Sequence, residues 1–326
     1  MHLIEADNFG LSSSLNGMRL FFLIGFLYLF ASCQNENAVK KYHTQHVIVV
    51  IVDGARWSET WGDSNHTYIP VRANILAPQG VMLNHLYNNG DTYTCPGHTA
   101  ISTGRYQHIL NDGSQLPDEP GLFQYFLSQT NLPANKAWVI SSKDKLYVLT
   151  NCIDPQWNNQ FMPNYDCGIN GPFTGYREDS ITMQHILQVL DTDDPNLMLI
   201  NFKEPDASAH TGNWQAYLNG IITTDEYTGE LWNYIQTHDN YKNKTTLIIT
   251  NDHGRHLDSV SNGFIDHGDG CDGCRHIEML AMGPDFKKNQ IINTTYDQID
   301  LASSMAELLQ VNMPTANGKV IWELFK

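Results

Sequence analysis

The chain has 326 residues, long enough for one large α/β domain, and sets 19 basic residues against 35 acidic ones for a formal charge of −16. That balance excludes a nucleic-acid duplex as partner, because a phosphate backbone demands a basic footprint. It leaves a small phosphorylated substrate open, since bound cations reverse the local charge in an acidic protein.

Met18–Leu29 reads MRLFFLIGFLYL and is followed by Phe30, Ala31, Ser32 and Cys33. A basic residue, a short apolar run and small residues before a cleavage point form a secretory signal, and the run is short for a membrane-spanning helix. The FASC ending is similar to a bacterial lipoprotein signal, in which Cys33 would be lipidated and anchor the mature protein to a membrane. Residues 1–17 are polar for a leader, which points to Met18 as the translation start. The expected organisation is a signal over residues 1–32, a polar tether over 33–42 and one extracytoplasmic globular domain over 43–326. Nothing in the sequence sets the oligomeric state.

His46–Val52 (HVIVVIV) is a continuous β-branched run that suits a buried parallel strand. It delivers Asp53 to the carboxyl edge of the sheet, where open α/β sheets place their sites; the plainer alternative is an Asp–Gly turn. A short helix is expected within Tyr68–Gly80, a strand over Val81–Asn88 and a helix over Pro96–Thr103. Thr94 then stands just before that helix, either as an ordinary cap or as a nucleophile beside an anion-favouring N-terminus. Gly121–Gln129 reads as a helix and Ala137–Ser141 as a strand. Leu149–Arg177, rich in Asn, Pro, Gly and aromatics, reads as a long loop that lines a cleft or forms a satellite cluster. Ser180–Leu190 is helical, and Asn196–Phe202 is a buried strand running into Asp206 and His210, four residues apart. A helix over Thr223–Thr237 precedes the strand Thr246–Thr250, which ends in Asp252 and His253. His267 and His276 follow on a polar loop, Ile277–Gly283 is a strand, and Gln298–Leu309 is an amphipathic helix. Strand–helix alternation of this kind specifies α/β layers.

Carboxylates and imidazoles at successive strand ends are the ligand types of a divalent metal pair, which can clamp attacking and leaving oxygens. A threonine hydroxyl needs such activation to act as a nucleophile.

Six cysteines occur. Cys152 with Cys167 reads as a disulfide around the long loop, and Cys271 with Cys274, the C-x-x-C of HGDGCDGCRH, as a tight one. For the latter pair, half of a zinc-binding set and a redox pair are the alternatives. Cys95 is left to pack as a small apolar side chain.

The segments IVDGAR (51–56), TCPGHTAISTGR (94–105), EPDASAH (204–210), TNDHG (250–254) and DHG (266–268), with Gly283–Pro284 and the late Asp300 helix, span nearly the whole domain. In that order they resemble the alkaline phosphatase superfamily, most closely its nucleotide pyrophosphatase/phosphodiesterase branch. The resemblance implies an α/β three-layer sandwich with a mostly parallel central sheet. It also implies two divalent metal ions, zinc by family habit. Asp53, Thr94, Asp252 and His253 fall around one ion, and Asp206, His210 and His267 around the other, with His276 a rival for the last place. Thr94 would attack phosphorus to give a phosphothreonine, making the protein a phosphodiesterase or phosphomonoesterase. Arg56, Lys203 and the backbone N–H groups near Cys95 are weaker candidates for phosphate contacts, as is Asn84. Related sulfatases carry Cys or Ser, followed by x-Pro-x-Arg, where Thr94 stands, which argues against sulfatase as the main activity. The alternatives are a sulfatase-like or phosphonate hydrolase of the same superfamily, or a non-catalytic surface lipoprotein that keeps the fold.

Overall fold

Seven residues of the first strand, β1 (His46–Val52), are buried without exception, because apolar side chains alternate to both faces of a sheet that is covered on both sides. The computed structural model describes residues 41–326, and Tyr42–Lys326 form one compact unit. The signal segment, Cys33 and the tether up to residue 40 lie outside the described residues.

The other strands are β2 (Val81–Tyr87), β3 (Ala137–Ser141), β4 (Asn164–Cys167), β5 (Leu197–Phe202), β6 (Thr245–Thr250), β7 (His276–Met282), β8 (Gln290–Ile292) and β9 (Tyr296–Asp297). Their order across the sheet is β4-β3-β5-β1-β6-β7-β2-β8, with β9 also on β2. All pairings are parallel except those of β7 with β6 and with β2. The expected three-layer sandwich with a largely parallel sheet is the fold observed.

β1 shows why there are three layers. Val47, Val49 and Ile51 enter one core with Ile101, Phe123, Phe126, Leu301 and Met305, from the helices Thr94–Thr103, Leu122–Thr130 and Asp300–Leu309. Ile48, Val50 and Val52 enter a second core with Ile186, Leu190, Leu231 and Ile235, from the helices Asp179–Asp193 and Trp214–Thr237. Each such side chain contributes roughly 1.5–3 kcal/mol on burial, so β1 is the seam between two hydrophobic cores.

Register sets the site. Val52 is level with Phe202 on β5, and Ile51 with Thr250 on β6. The chain therefore leaves β1, β5 and β6 at one edge, carrying Asp53, Asp206 and Asp252 to the same end of the sheet.

Several elements differ from expectation. The helix after β2 begins at Thr94, not Pro96, with Tyr93 as the extended residue before it, so Thr94 belongs to the first turn and is no cap. The long helix begins at Trp214, where the Asn213 side chain accepts a hydrogen bond from Ala216 N–H (3.1 Å). The long loop contains β4, a four-residue edge strand whose sequence, NYDC, has too little apolar alternation to announce itself.

The expected disulfides are corrected. Cys95, Cys152, Cys167, Cys271 and Cys274 are all free thiols. Cys167 turns its Sγ toward the Val139 carbonyl on β3 (3.9 Å) inside the core, and Cys152 is fully buried. Both behave as small apolar residues, and burial pushes both thiol pKa values up. The expectation of a membrane element gains no support either: among the described residues, no helix is long and apolar enough to cross a membrane.

Candidate metal centre

Beyond β1, Gly54 turns with φ +64°, and a side chain there would collide with Asp206 and Arg255. This tight exit keeps Asp53 in place: Asn201 donates to its Oδ2 (2.9 Å), which leaves Oδ1 facing inward. Asp252 and His253 leave β6 beside it. The helix carrying Thr94 approaches so closely that a Cβ on Gly97 would lie 2.7 Å from the Asp252 carbonyl oxygen. Asp206 and His210 bracket a single helical turn after β5, and His267 arrives from the loop before β7.

These groups converge. Asp53, Asp206 and His253 offer ligand atoms mutually within 4.8 Å, and so do Asp53, His98 and Asp252, and Asp206, His210 and His267. His253 Nε2 lies 3.3 Å from Asp252 Oδ2 and 3.7 Å from Asp53 Oδ1. The Nε2 atoms of His210 and His267 lie 3.2 and 3.4 Å from Asp206 Oδ1, and 3.2 Å from each other. His253 and His267 stack with ring centroids 3.8 Å apart.

Three atoms decide what fits here. Asp53 Oδ1, Asp252 Oδ2 and His253 Nε2 are buried without a hydrogen-bond partner; such a state costs about 1–3 kcal/mol per neutral group and more for charged ones, offset at Asp53 Oδ1 by the Lys143 ammonium at ion-pair distance. His253 gives its Nδ1–H to the Gly254 carbonyl (2.9 Å), so Nε2 holds the lone pair. Burial pushes its pKa down to about 3, and it stays neutral, as a ligand must. His267 gives its Nδ1–H to Thr92 O (2.8 Å) and likewise turns a lone pair inward. Orphaned carboxylate oxygens with inward imidazole lone pairs fit divalent cations.

Lys143, just beyond β3, reaches this cluster with its side chain almost wholly buried. Its Nζ lies 2.9 Å from Asp53 Oδ1, outside hydrogen-bonding geometry, and donates to Asp206 Oδ2 (2.6 Å) and Thr94 Oγ1 (3.2 Å). Burial opposes its charge, but Asp206 and Asp53 outweigh burial and hold its pKa above the ordinary range. Burial would raise the Asp206 carboxyl; Lys143 foremost, then His210, His267 and Arg255, pull it well below the usual carboxylate range instead. Arg255 also bonds Asp206 directly.

The remaining candidates lie elsewhere. His276 stacks between Trp57 and Tyr87 and meets the Asn84 carbonyl (2.9 Å), outside every ligand cluster found among the described residues. Arg56 is engaged by Glu59, the His256 carbonyl and Asp258, and Lys203 by Glu178. Asn84 donates to Asn293, and the Cys95 N–H donates to Asn111 Oδ1 (2.9 Å).

Residues 45–311 match the family described as Sulfatase. The chain belongs to that family, within the alkaline-phosphatase/sulfatase superfamily. Among curated proteins it is similar to a 2,3-bisphosphoglycerate-independent phosphoglycerate mutase of Clostridium botulinum, 28% identical over 134 residues, which are 40% of this chain and 24% of that protein. The match thus spans about a quarter of the mutase. Solved structures that share the fold include murine ectonucleotide pyrophosphatase/phosphodiesterase 5 (TM-score 0.62, 17% identity, 86% of this chain and 100% of that one). Alkaline phosphatase PafA (0.66, 12%, 88% and 100%) and a phosphonate monoester hydrolase from Silicibacter pomeroyi (0.62, 12%, 85% and 76%) share it too. At such identities these likenesses speak for the fold alone.

In this sulfatase-family chain the sequence reading missed Lys143, Arg255, His98 and two tyrosines. His98 gives its Nδ1–H to Thr94 O (2.9 Å), and its Nε2 meets the Asn201 amide (3.1 Å), locking the turn that carries Thr94. Tyr176 covers Lys143 with its ring 5.6 Å from Nζ, and Tyr93 meets His267 edge-on, both partly exposed. Only His98 had a usable signal, one helical turn beyond Thr94.

Proposed function

We propose that the chain is a metal-dependent hydrolase of phosphorus-oxyacid esters, phosphate or phosphonate, with Thr94 as the nucleophile. The observation that carries this reading is the trio of orphaned buried atoms on Asp53, Asp252 and His253 beside the Thr94 helix. Two divalent ions such as zinc, one held by Asp53, Asp252, His253 and Thr94 and the other by Asp206, His210 and His267, would polarise the ester and ease ionisation of the Thr94 hydroxyl.

The chain's own residues supply the rest. Lys143 donates to Thr94 Oγ1, which favours negative charge on that oxygen as its proton leaves. Attack forms an oxygen–phosphorus bond to Thr94 and breaks the bond to the leaving alcohol; water then releases the phosphoryl group and restores the hydroxyl. Lys145, buried and 3.1 Å from Asn111 Oδ1, places a second cation near the same helix end. Tyr93 and Tyr176 form apolar walls for the substrate.

Thr94→Ala should lower turnover on the order of 10³-fold or more while zinc content is kept. Turnover near wild type would sink the covalent mechanism. A second reading, sulfate-ester hydrolysis, is favoured by the family match itself. Rates on an aryl phosphate, a bis-aryl phosphate, an aryl phosphonate monoester and an aryl sulfate, from one zinc-loaded preparation, separate the readings. An extracytoplasmic location, read from residues 18–33, is compatible with this family.

A further inference from the structure

A second group of metal-ligand types stands apart from the Asp53–His267 centre. His256, Asp269, Cys271 and Cys274 offer one nitrogen, one carboxylate oxygen and two sulfurs, all mutually within 4.8 Å. A tetrahedral zinc with bonds of about 2.0–2.3 Å sets its ligand atoms roughly 3.3–3.8 Å apart, so small side-chain adjustments close the shell.

The histidine gives an independent sign. His256 is only 4% exposed, yet neither ring nitrogen has a hydrogen-bond partner. Its Nε2 lies 3.2 Å from Asp269 Oδ2 without hydrogen-bonding geometry. A buried imidazole in that state carries an uncompensated desolvation cost, which coordination through Nε2 would offset. The remaining ligands are poised as well. Asp269 Oδ1 accepts the Cys271 N–H (3.0 Å), and Cys271 precedes the helical turn Asp272–Arg275, which returns Cys274 to the same side. Asp269 is half exposed and Cys271 partly so, which gives an ion a way in.

We propose that His256, Asp269, Cys271 and Cys274 bind a third metal ion, a structural zinc in a closed Cys₂HisAsp shell. Binding releases the two thiol protons and leaves the imidazole neutral. The ion would cross-tie two segments that feed the centre. Gly254 N–H donates to Cys274 O (2.8 Å) and His256 N–H to Asp266 O (3.2 Å), so the stretch after Asp252–His253 and the loop bearing His267 already run together here. C-x-x-C would then be a clamp beside the active centre.

The test uses the reduced full chain loaded with Co²⁺ and, separately, with Zn²⁺. We expect an intense thiolate-to-cobalt charge-transfer band in the wild type. It should be absent from Cys271→Ser/Cys274→Ser and retained in Asp53→Asn/Asp252→Asn, whose losses fall on the other centre. Zinc should slow alkylation of Cys271 and Cys274 in the wild type at least tenfold, a readout that needs no variant. The proposal is overturned by a wild type that lacks the band, by thiols that react equally fast with and without zinc, or by a mass showing Cys271 and Cys274 already oxidised to each other. None of these readouts depends on whether Thr94 is a nucleophile.

Discussion

At Lys143 a cation of almost no exposure lies between Asp53 and Asp206, two carboxylates that the neighbouring histidines and Asp252 crowd from the far side. Its ammonium is the cation that the two carboxylates share, Asp206 also holding Arg255, and breaking such a buried pair costs about 3–5 kcal/mol. Lys143→Ala should therefore destabilise the zinc-free protein by that amount, and saturating zinc should close most of the gap by restoring positive charge. Denaturant melts of both proteins with and without zinc check this; an equal gap under both conditions would mean that Lys143 acts only through packing. The same residue shows where sequence reading stops. Aspartate and histidine at strand ends are legible only as a set: one alone is an ordinary turn, whereas several at successive strand ends match the ligand types of a metal pair. Lys143 and Arg255 follow no motif, and lysine and arginine ordinarily sit in solvent, so nothing in the sequence distinguished these two from surface charges.

Among the elements, the Thr94–Thr103 helix lies closest to the Asp252 exit at Gly97. Gly97 permits that approach. Gly97→Ala raises intrinsic helix propensity, yet its methyl would press on the Asp252 backbone, and overpacking of this kind costs roughly 1–3 kcal/mol. The expected outcome is a lower melting temperature together with a fall in kcat larger than any change in KM. A variant as stable and active as wild type would show that the helix can retreat freely. The buried strands β1, β5 and β6 were legible because long β-branched or apolar runs have few other uses. β4, β8 and β9 were not, since two to four residues at the margin of a sheet gain their pairing from neighbours rather than from their own pattern. The cysteines misled for a related reason: spacing in sequence says nothing about whether two sulfurs face each other or the core.

For the molecule as a whole, Asp179 links three elements to overall stability. From the first turn of the Asp179–Asp193 helix it accepts hydrogen bonds from Ser142 Oγ (2.5 Å), beyond β3, and from Lys203 and Glu204 N–H (2.8 and 3.1 Å), beyond β5. Burial outweighs these bonds and pushes its pKa up from 3.8 to about 6. A carboxyl raised on folding binds its proton more tightly in the native state, so its contribution is greatest below the unfolded value and declines as pH rises through the folded one. Between about pH 4 and about pH 7, wild type should lose roughly 2–3 kcal/mol relative to the non-titrating Asp179→Asn. Urea denaturation across that range measures it, and a pH-independent difference would refute the shift. The register of β1 with β5 and β6 has a last consequence. The acidic ligands stand on three adjacent strands, whereas Tyr176 comes from the long segment leading away from β4, at the sheet's outer margin. Of the two proposed substrate walls, Tyr93 is thus tied to the Thr94 helix, whereas Tyr176 belongs to the segment 149–177, which could be exchanged or diversified by recombination, remodelling one wall while the candidate metal centre is inherited unchanged.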